Sequence, residues 1–373
     1  MQKTGILGGG QLGRMLLQQA ANYPVETYIM ENDPECPAAH LCHHFVLGDI
    51  RNYEDVYNFG MGLDSLTIEI ESVNIEALEK LESEGVKVYP QPSTLRIIKN
   101  KILQKKFYEK NNIPTVEYVV VQSKRELEQR INFLPAVHKL AEGGYDGRGV
   151  MVLKTGNDLA AGFDAPSILE KLVKVHKEIS VIIAVSETGK TAFYPPVEMV
   201  FNPVLNLLDY QVCPASVPEK TLWRIEAIAI KVAKALKSPG LFAVEMLVDF
   251  DQNVFVNETA PRVHNSGHHT IEANFCSQYD MLWRILLGYP LGNTATIRHS
   301  ALVNLIGEKD CNGEARYLGL QVTLAMENTY VHLYGKKQTK PGRKMGHVTL
   351  IGDHTGELIR KALEIKSQLK VIV

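Results

Sequence analysis

The 373-residue chain has no apolar run long enough to cross a bilayer. Its cysteines are few: Cys36, Cys42, Cys213, Cys276 and Cys311 form no C-x-x-C pair, and their odd number argues against a disulfide framework. Reduced thiols are expected. Charge of one sign is also lacking, since 40 Lys and Arg stand against 42 Asp and Glu for a formal net charge of -2. That balance leaves no electrostatic footprint for nucleic acid or an anionic membrane. There is no long repeat and no low-complexity tract. The first residues enter a strand-like run rather than a charged segment followed by an apolar one, so a cytoplasmic protein is expected.

What is present is the composition of a soluble globular protein, 45% hydrophobic and 22% charged, at a length that suggests two or three domains. In "GILGGGQLGRM", Gly8, Gly10 and Gly13 match G-x-G-x-x-G between a strand ("TGIL") and a helix ("QLGRMLLQQAAN"). A second strand ends near Glu31, where a nicotinamide enzyme places its ribose-binding acid. Taken alone, the motif leaves three readings: a dinucleotide, another anionic ligand, or a tight turn needing glycine for its backbone and close packing. "CPAAHLCHH" gathers Cys36, His40, Cys42, His43 and His44, but the spacing matches no usual zinc pattern, and a loop with a helix start is expected.

Strand-like and helical runs alternate over the first hundred residues, which predicts a doubly wound parallel sheet. One long helix is expected through "STLRIIKNKILQKKFYEKNN", with a boundary at Pro114. The chain then becomes strand-rich, with an antiparallel hairpin around "EGGYDGRG", a helix over residues 219 to 236, and a second hairpin from "LFAVEMLVDF" to "VFVNETAPR".

Four segments carry chemistry. Lys139 precedes four glycines in seven residues, a cover for phosphates in which backbone N–H groups and one ammonium act together. Glu245 lies in an apolar strand opposite Asn257 and Glu258, and two carboxylates facing each other across paired strands call for a cation such as Mg2+. In "APRVHNSGHHT", Arg262, His264, Asn265, His268 and His269 suit a bound anion. "KPGRKMGH" adds Arg343, Lys344 and His347, which by themselves read as a solvated basic turn.

In this order, "GGGQLGRM", "TIEIESVN", "EGGYDGRG", "VNETAPRVHNSGHHT", "VNLIG" and "GRKMGH" closely resemble the N5-carboxyaminoimidazole ribonucleotide synthase family, over about residues 3 to 350. The resemblance implies an α/β ATP-grasp fold: a Rossmann-like pre-ATP-grasp domain at 1–100, a two-lobed ATP-grasp region at 101–295 and a small C-terminal domain at 296–373. It implies ATP-dependent carboxylation of 5-aminoimidazole ribonucleotide by bicarbonate through carboxyphosphate, by a homodimer whose product passes to a separate mutase.

Carried over by motif, Lys101, Lys139 and the loop Gly144, Tyr145, Asp146, Gly147, Arg148, Gly149 and Val150 would hold ATP. Glu170, Lys171, Leu172 and Val173 would form the adenine-reading hinge, and Glu178 would hold the ribose hydroxyls. Glu245 and Glu258 would bind Mg2+, beside Asn257. Arg262, His264 and Asn265 would form the bicarbonate or carboxyphosphate site. Gln11, Glu71, Tyr145, Asp146, Arg262, Arg343 and Lys344 would meet the ribonucleotide, with Asp146 as a proton acceptor. The glycine turn then has no need of NAD. Two positions depart from the family pattern: Lys101, where relatives often carry arginine, and Phe201 with Asn202-Pro203, where many have a histidine.

Overall fold

The computed structural model describes residues 1–144, 149–201 and 208–373. Tyr145, Asp146, Gly147, Arg148, Asn202 and Pro203 lie outside the described residues.

The first hundred residues form the expected parallel sheet. Strands β1 (Gln2–Leu7), β2 (Val25–Glu31), β3 (His44–Leu47), β4 (Ser65–Ile68) and β5 (Lys87–Tyr89) pair in the order β3-β2-β1-β4-β5. All of β4 and the last four residues of β1 are buried, as central parallel strands covered on both faces should be. Helix α1 (Gln11–Ala20) packs Leu12, Met15 and Leu16 into one core; α2 (Tyr53–Gly60) and α3 (Ile75–Ser83) supply Val56, Phe59 and Leu78 to another. Asn52 and Asn74 cap α2 and α3 by accepting from Asp55 and Ala77 N–H groups.

Two local expectations need correction. The long helix is broken into α4 (Pro92–Lys99) and α5 (Lys101–Lys110), because Asn100 adopts an extended backbone and its Oδ1 accepts from Ile102 and Leu103 N–H groups. The histidine-rich segment begins no helix; turns lead into β3, where the His44 ring stacks on Tyr28 at 4.3 Å and pairs with Glu26 at 2.6 Å. His43 is tied to Thr27 and His40 to Arg14, so these side chains point to separate partners.

A four-stranded antiparallel sheet follows: β6 (Tyr118–Val121), β7 (Ala136–Leu140), β8 (Val150–Leu153) and β9 (Ser167–Lys171), in the order β6-β9-β7-β8. Helix α6 (Lys124–Glu128) lies between β6 and β7 in the chain. The ladder of β7 with β8 ends at the pair Lys139↔Val150.

The third sheet has nine strands. β10 (Val175–Val185) runs against β14 (Gly240–Asp249) and β12 (Val197–Phe201); β11 (Thr191–Phe193) adds to β10, β13 (Leu208–Cys213) to β12, and β15 (Val254–Ala260) to β14. Helix α7 (Glu219–Leu236) spans the residues expected for it. Alternation sorts the sheet: Val181, Ile183, Phe242 and Val244 face α7, while Ile182, Ala184, Leu241 and Ala243 share a core with α1. Helices α8 (Thr270–Ala273) and α9 (Gln278–Leu286) follow, and α9 joins that second core through Met281, Leu282 and Trp283. The ladder continues past residue 295, since β16 (His299–Ile306) pairs with β13 and with the strand Lys344–Gly352. One sheet thus connects the acid hairpin with the "GRKMGH" segment.

Candidate active site

The acids sit on the α1-facing side of the nine-stranded sheet, because Glu245 alternates with Ala243 and Leu241 along β14. Glu245 lies directly opposite Glu258 on β15, and the register shifts immediately beyond them, where Met246 pairs with Val256. Asn257 is the extra residue of that bulge, which lets neighbouring side chains both reach the cleft. Asn257 Oδ1 accepts from Lys139 Nζ at 2.8 Å, and Glu258 Oε2 pairs with Lys101 Nζ at 2.7 Å. Burial, with Glu258 and Glu178 nearby, pushes the Glu245 carboxyl well above the usual carboxylate range, whereas Lys101 holds Glu258 well below it. Burial also raises Glu178, the next acid on this face. The hairpin therefore carries one acid lowered by its lysine and one raised by burial and its acidic neighbours.

Lysine placement follows from the helix break and the β7 register. Because α5 starts afresh at Lys101, its backbone N–H reaches Ala141 O at 2.8 Å while its ammonium turns to Glu258. Lys139 contacts Glu170 Oε2 at 2.6 Å, and Lys105 pairs with the other oxygen of the same carboxylate. Glu170 is buried; Lys139 and Lys105 outweigh the effect of burial and hold its carboxyl below the ordinary value. Burial lowers the Lys105 ammonium in turn. Removing either partner would leave a charge unpaired inside the protein. Lys171 goes elsewhere, donating to Phe133 O at 3.1 Å, and the Leu172 N–H bonds Pro135 O.

The segment after β15 closes the site from the other side. Arg262 Nε lies 2.9 Å from Glu71 Oε1, joining the acid hairpin to the first sheet. His264 Nε2 is 3.4 Å from Glu245 Oε1, and its Nδ1 meets Ser266 Oγ at 2.9 Å. Asn265 Oδ1 is buried without a hydrogen-bond partner among the described residues. His268 and His269 depart from the expected anion-binding role: both are 1% exposed and turned inward. His268 meets Tyr279 OH at 2.7 Å and His269 meets Ser266 O at 3.0 Å. Burial pushes His269 down to about 4 and His268 well below its ordinary value, so both are neutral packing groups. His347 is likewise interior, stacked on His332 at 4.5 Å and bonded to Tyr334.

Gln11 opens α1, and its Oε1 accepts from Lys336 Nζ at 2.8 Å; the same ammonium donates to the Lys344 carbonyl. This brings the N-terminal turn to "GRKMGH", although Arg343 itself donates to Gln338 O at the surface. In the glycine turn, Gly13 N–H donates to Glu69 Oε2 at 3.1 Å and Gly9 N–H to Glu31 Oε2 at 3.0 Å. Glu31 serves the turn rather than a ribose. Lys105, Lys336 and Glu69 escaped sequence reasoning; only the alternation of Glu69 with Glu71 in "TIEIE" hinted that both acids face one way.

Family models match along the chain: a ribonucleotide synthetase preATP-grasp domain over 1–99, an ATP-grasp domain over 106–279, and a phosphoribosylaminoimidazole carboxylase C-terminal domain over 300–361. The N5-carboxyaminoimidazole ribonucleotide synthase of Brucella melitensis is 34% identical across 94% of this chain and 96% of that protein. The chain belongs to the N5-carboxyaminoimidazole ribonucleotide synthase family. The synthetase of this family from Thermotoga maritima superposes with a TM-score of 0.93 at 36% identity, covering 100% of this chain and 99% of that one. The synthase from Aspergillus clavatus, solved in complex with ADP and 5-aminoimidazole ribonucleotide, is 29% identical with a TM-score of 0.88 over 98% of both chains. The chain spans 64% of the longer phosphoribosylaminoimidazole carboxylase of Vigna aconitifolia. The chain carries the ATP-grasp domain of this family, and no helix among the described residues is long and apolar enough to cross a membrane.

Proposed function

We propose that the chain condenses 5-aminoimidazole ribonucleotide with bicarbonate, driven by ATP, to give N5-carboxyaminoimidazole ribonucleotide, ADP and phosphate. The observation that carries this reading is the β15 bulge, which directs Asn257 to Lys139 and Glu258 to Lys101 while Glu245, its carboxyl raised by burial and by Glu258 and Glu178, faces the same cleft. An acid raised by its acidic neighbours beside a partly exposed one fits Mg2+, which Glu245 and Glu258 would hold. When bound, the ion neutralises charge on the transferring phosphoryl group.

The chain's own residues do the rest. Lys139, with Gly144, Gly149 and Val150 at the hairpin tip, holds the phosphates; Glu170 to Val173 flank the adenine and Glu178 the ribose hydroxyls. A bicarbonate oxygen attacks the γ-phosphorus, the bond to the β,γ-bridging oxygen breaks, and ADP leaves. Arg262, fixed by Glu71, holds the carboxyphosphate anion with His264 and Asn265. The exocyclic amine then bonds to its carbon, directly or after carbon dioxide is released in the closed site, and phosphate departs. Asp146 takes the amine proton beside Tyr145, both outside the described residues. Gln11, Glu71, Arg343 and Lys344 hold the ribonucleotide. The site must exclude water from the labile carboxyphosphate until the ribonucleotide is bound. The same reading makes the protein a cytoplasmic homodimer divided near residues 100 and 295, feeding a separate mutase.

The test is incorporation of carbon-13 bicarbonate into an acid-labile carbamate on the ribonucleotide. Label retained only when ATP and the ribonucleotide are both present is the expected result. No labelled product from protein that binds ATP would defeat the reading.

A further inference from the structure

The glycine turn at the end of β1 has the form of an anion cradle, yet its donors are used internally. Gly13 N–H points at Glu69 Oε2, 3.1 Å away, and Gly9 N–H at Glu31 Oε2, 3.0 Å away. The glycines are required by these carboxylates: a Cβ on Gly10 would stand 2.2 Å from Glu69 Oε1, and one on Gly13 2.7 Å from Glu69 Oε2. Gly8, with φ at +108°, adds a backbone conformation that side-chain-bearing residues rarely adopt. Glu69 is 8% exposed and directly follows β4, its own N–H bonded to Leu7 O. Its charge also acts on Arg262, the guanidinium that Glu71 pairs from two residues along.

We propose that Glu69 is the resident acid of the glycine turn, occupying the place a phosphate would take and so fixing the start of α1, where Gln11 stands. It is a positioning residue. By filling the cradle it excludes phosphate esters, which leaves the phosphate of the substrate to the lysines and arginine of the C-terminal segment. The kinetic part rests on the function proposed above; the anion-exclusion part does not.

The experiment uses the whole chain with Glu69→Ala and Glu69→Gln. Titration calorimetry with inorganic phosphate should show binding to Glu69→Ala and none to the parent protein. In steady-state assays both variants should raise KM for the ribonucleotide about tenfold while leaving KM for ATP within twofold, roughly the effect of one charge-assisted contact. Millimolar formate, a carboxylate small enough for the vacated place, should restore Glu69→Ala and not Glu69→Gln, an outcome a purely structural defect would not give. If the alanine variant fails to fold, the ribonucleotide-against-ATP split in Glu69→Gln decides. Absent phosphate binding with unchanged KM values, or a KM increase shared equally by both substrates, would overturn the proposal. A parent protein inactive toward the ribonucleotide would count against the proposed function alone, because phosphate binding to Glu69→Ala is read without turnover.

Discussion

Glu69 just after β4 and Glu245 in the nine-stranded sheet are both acids whose carboxyls burial pushes upward, yet they belong to opposite kinds of site. At Glu69 the Gly13 and Gly10 N–H groups and Arg262 work against burial, leaving the group at about 7. At Glu245 the next influences are Glu258 and Glu178, which add to burial. Glu31 adds to burial at Glu69, and Lys101 and Lys344 oppose it at Glu245, yet Glu69 is held by backbone N–H groups while at Glu245 the neighbouring acids outrank the lysines. Acids gathered at a cleft are costly, and where a protein keeps them, a ligand is the economical explanation. The glycine motif that looked like a nucleotide cradle is therefore the closed site, and the acidic hairpin is the open one.

The largest effect should come from the open site. Glu258→Gln should lower turnover about 10³-fold with the circular dichroism spectrum of the parent; turnover within tenfold would refute the assignment. Arg262→Ala should lower turnover about 10²-fold while ATP binding by calorimetry is retained, and equal loss of both would make Arg262 structural instead. Lys336→Met, which removes the ammonium on Gln11, should raise KM for the ribonucleotide about tenfold with little change in kcat. An unchanged KM would detach Lys336 from the substrate.

The comparison can also be sharpened by pH. The folded value of Glu245 lies above its unfolded one, so its contribution to stability is fully present below the ordinary carboxylate value and is lost as pH rises through the elevated one. With chelator present, Glu245→Gln should therefore match the parent at pH 5 and exceed it at pH 9 by on the order of 2 kcal/mol in urea unfolding. No difference between the two pH values would place Glu245 in contact with a cation of the protein's own. The smallest expected effect is at the helix break, where Asn100→Ala should cost about 1 kcal/mol of stability.

Much of this was legible in the sequence. Alternating apolar runs gave away the parallel sheet, and the 18-residue pattern of α7 matched its observed span. Glu245 and Glu258 stood out because carboxylates in apolar strands need a reason. Other features depend on partners far along the chain. The bulge at Asn257 exists only in the register of β14 with β15, and alternation alone would have sent Asn257 and Glu258 to opposite faces. The Asn100 break yields to a local side-chain cap that competes with a helical pattern continuous on both sides. Histidines misled for the reverse reason: beside Arg262 they suggest ligands, but His268 and His347 are enclosed by Tyr279 and Tyr334 and serve the core. Glu69 was invisible because its partners are backbone N–H groups more than fifty residues away.

The most direct measurement is phosphate release from ATP in the presence of Mg2+, with bicarbonate and 5-aminoimidazole ribonucleotide added singly and together. Release that is slow with either alone, fast with both, and matched one for one by acid-labile carboxylated product is the predicted result. Rapid release that ignores the ribonucleotide, or release stimulated by it without carboxylated product, would contradict the account.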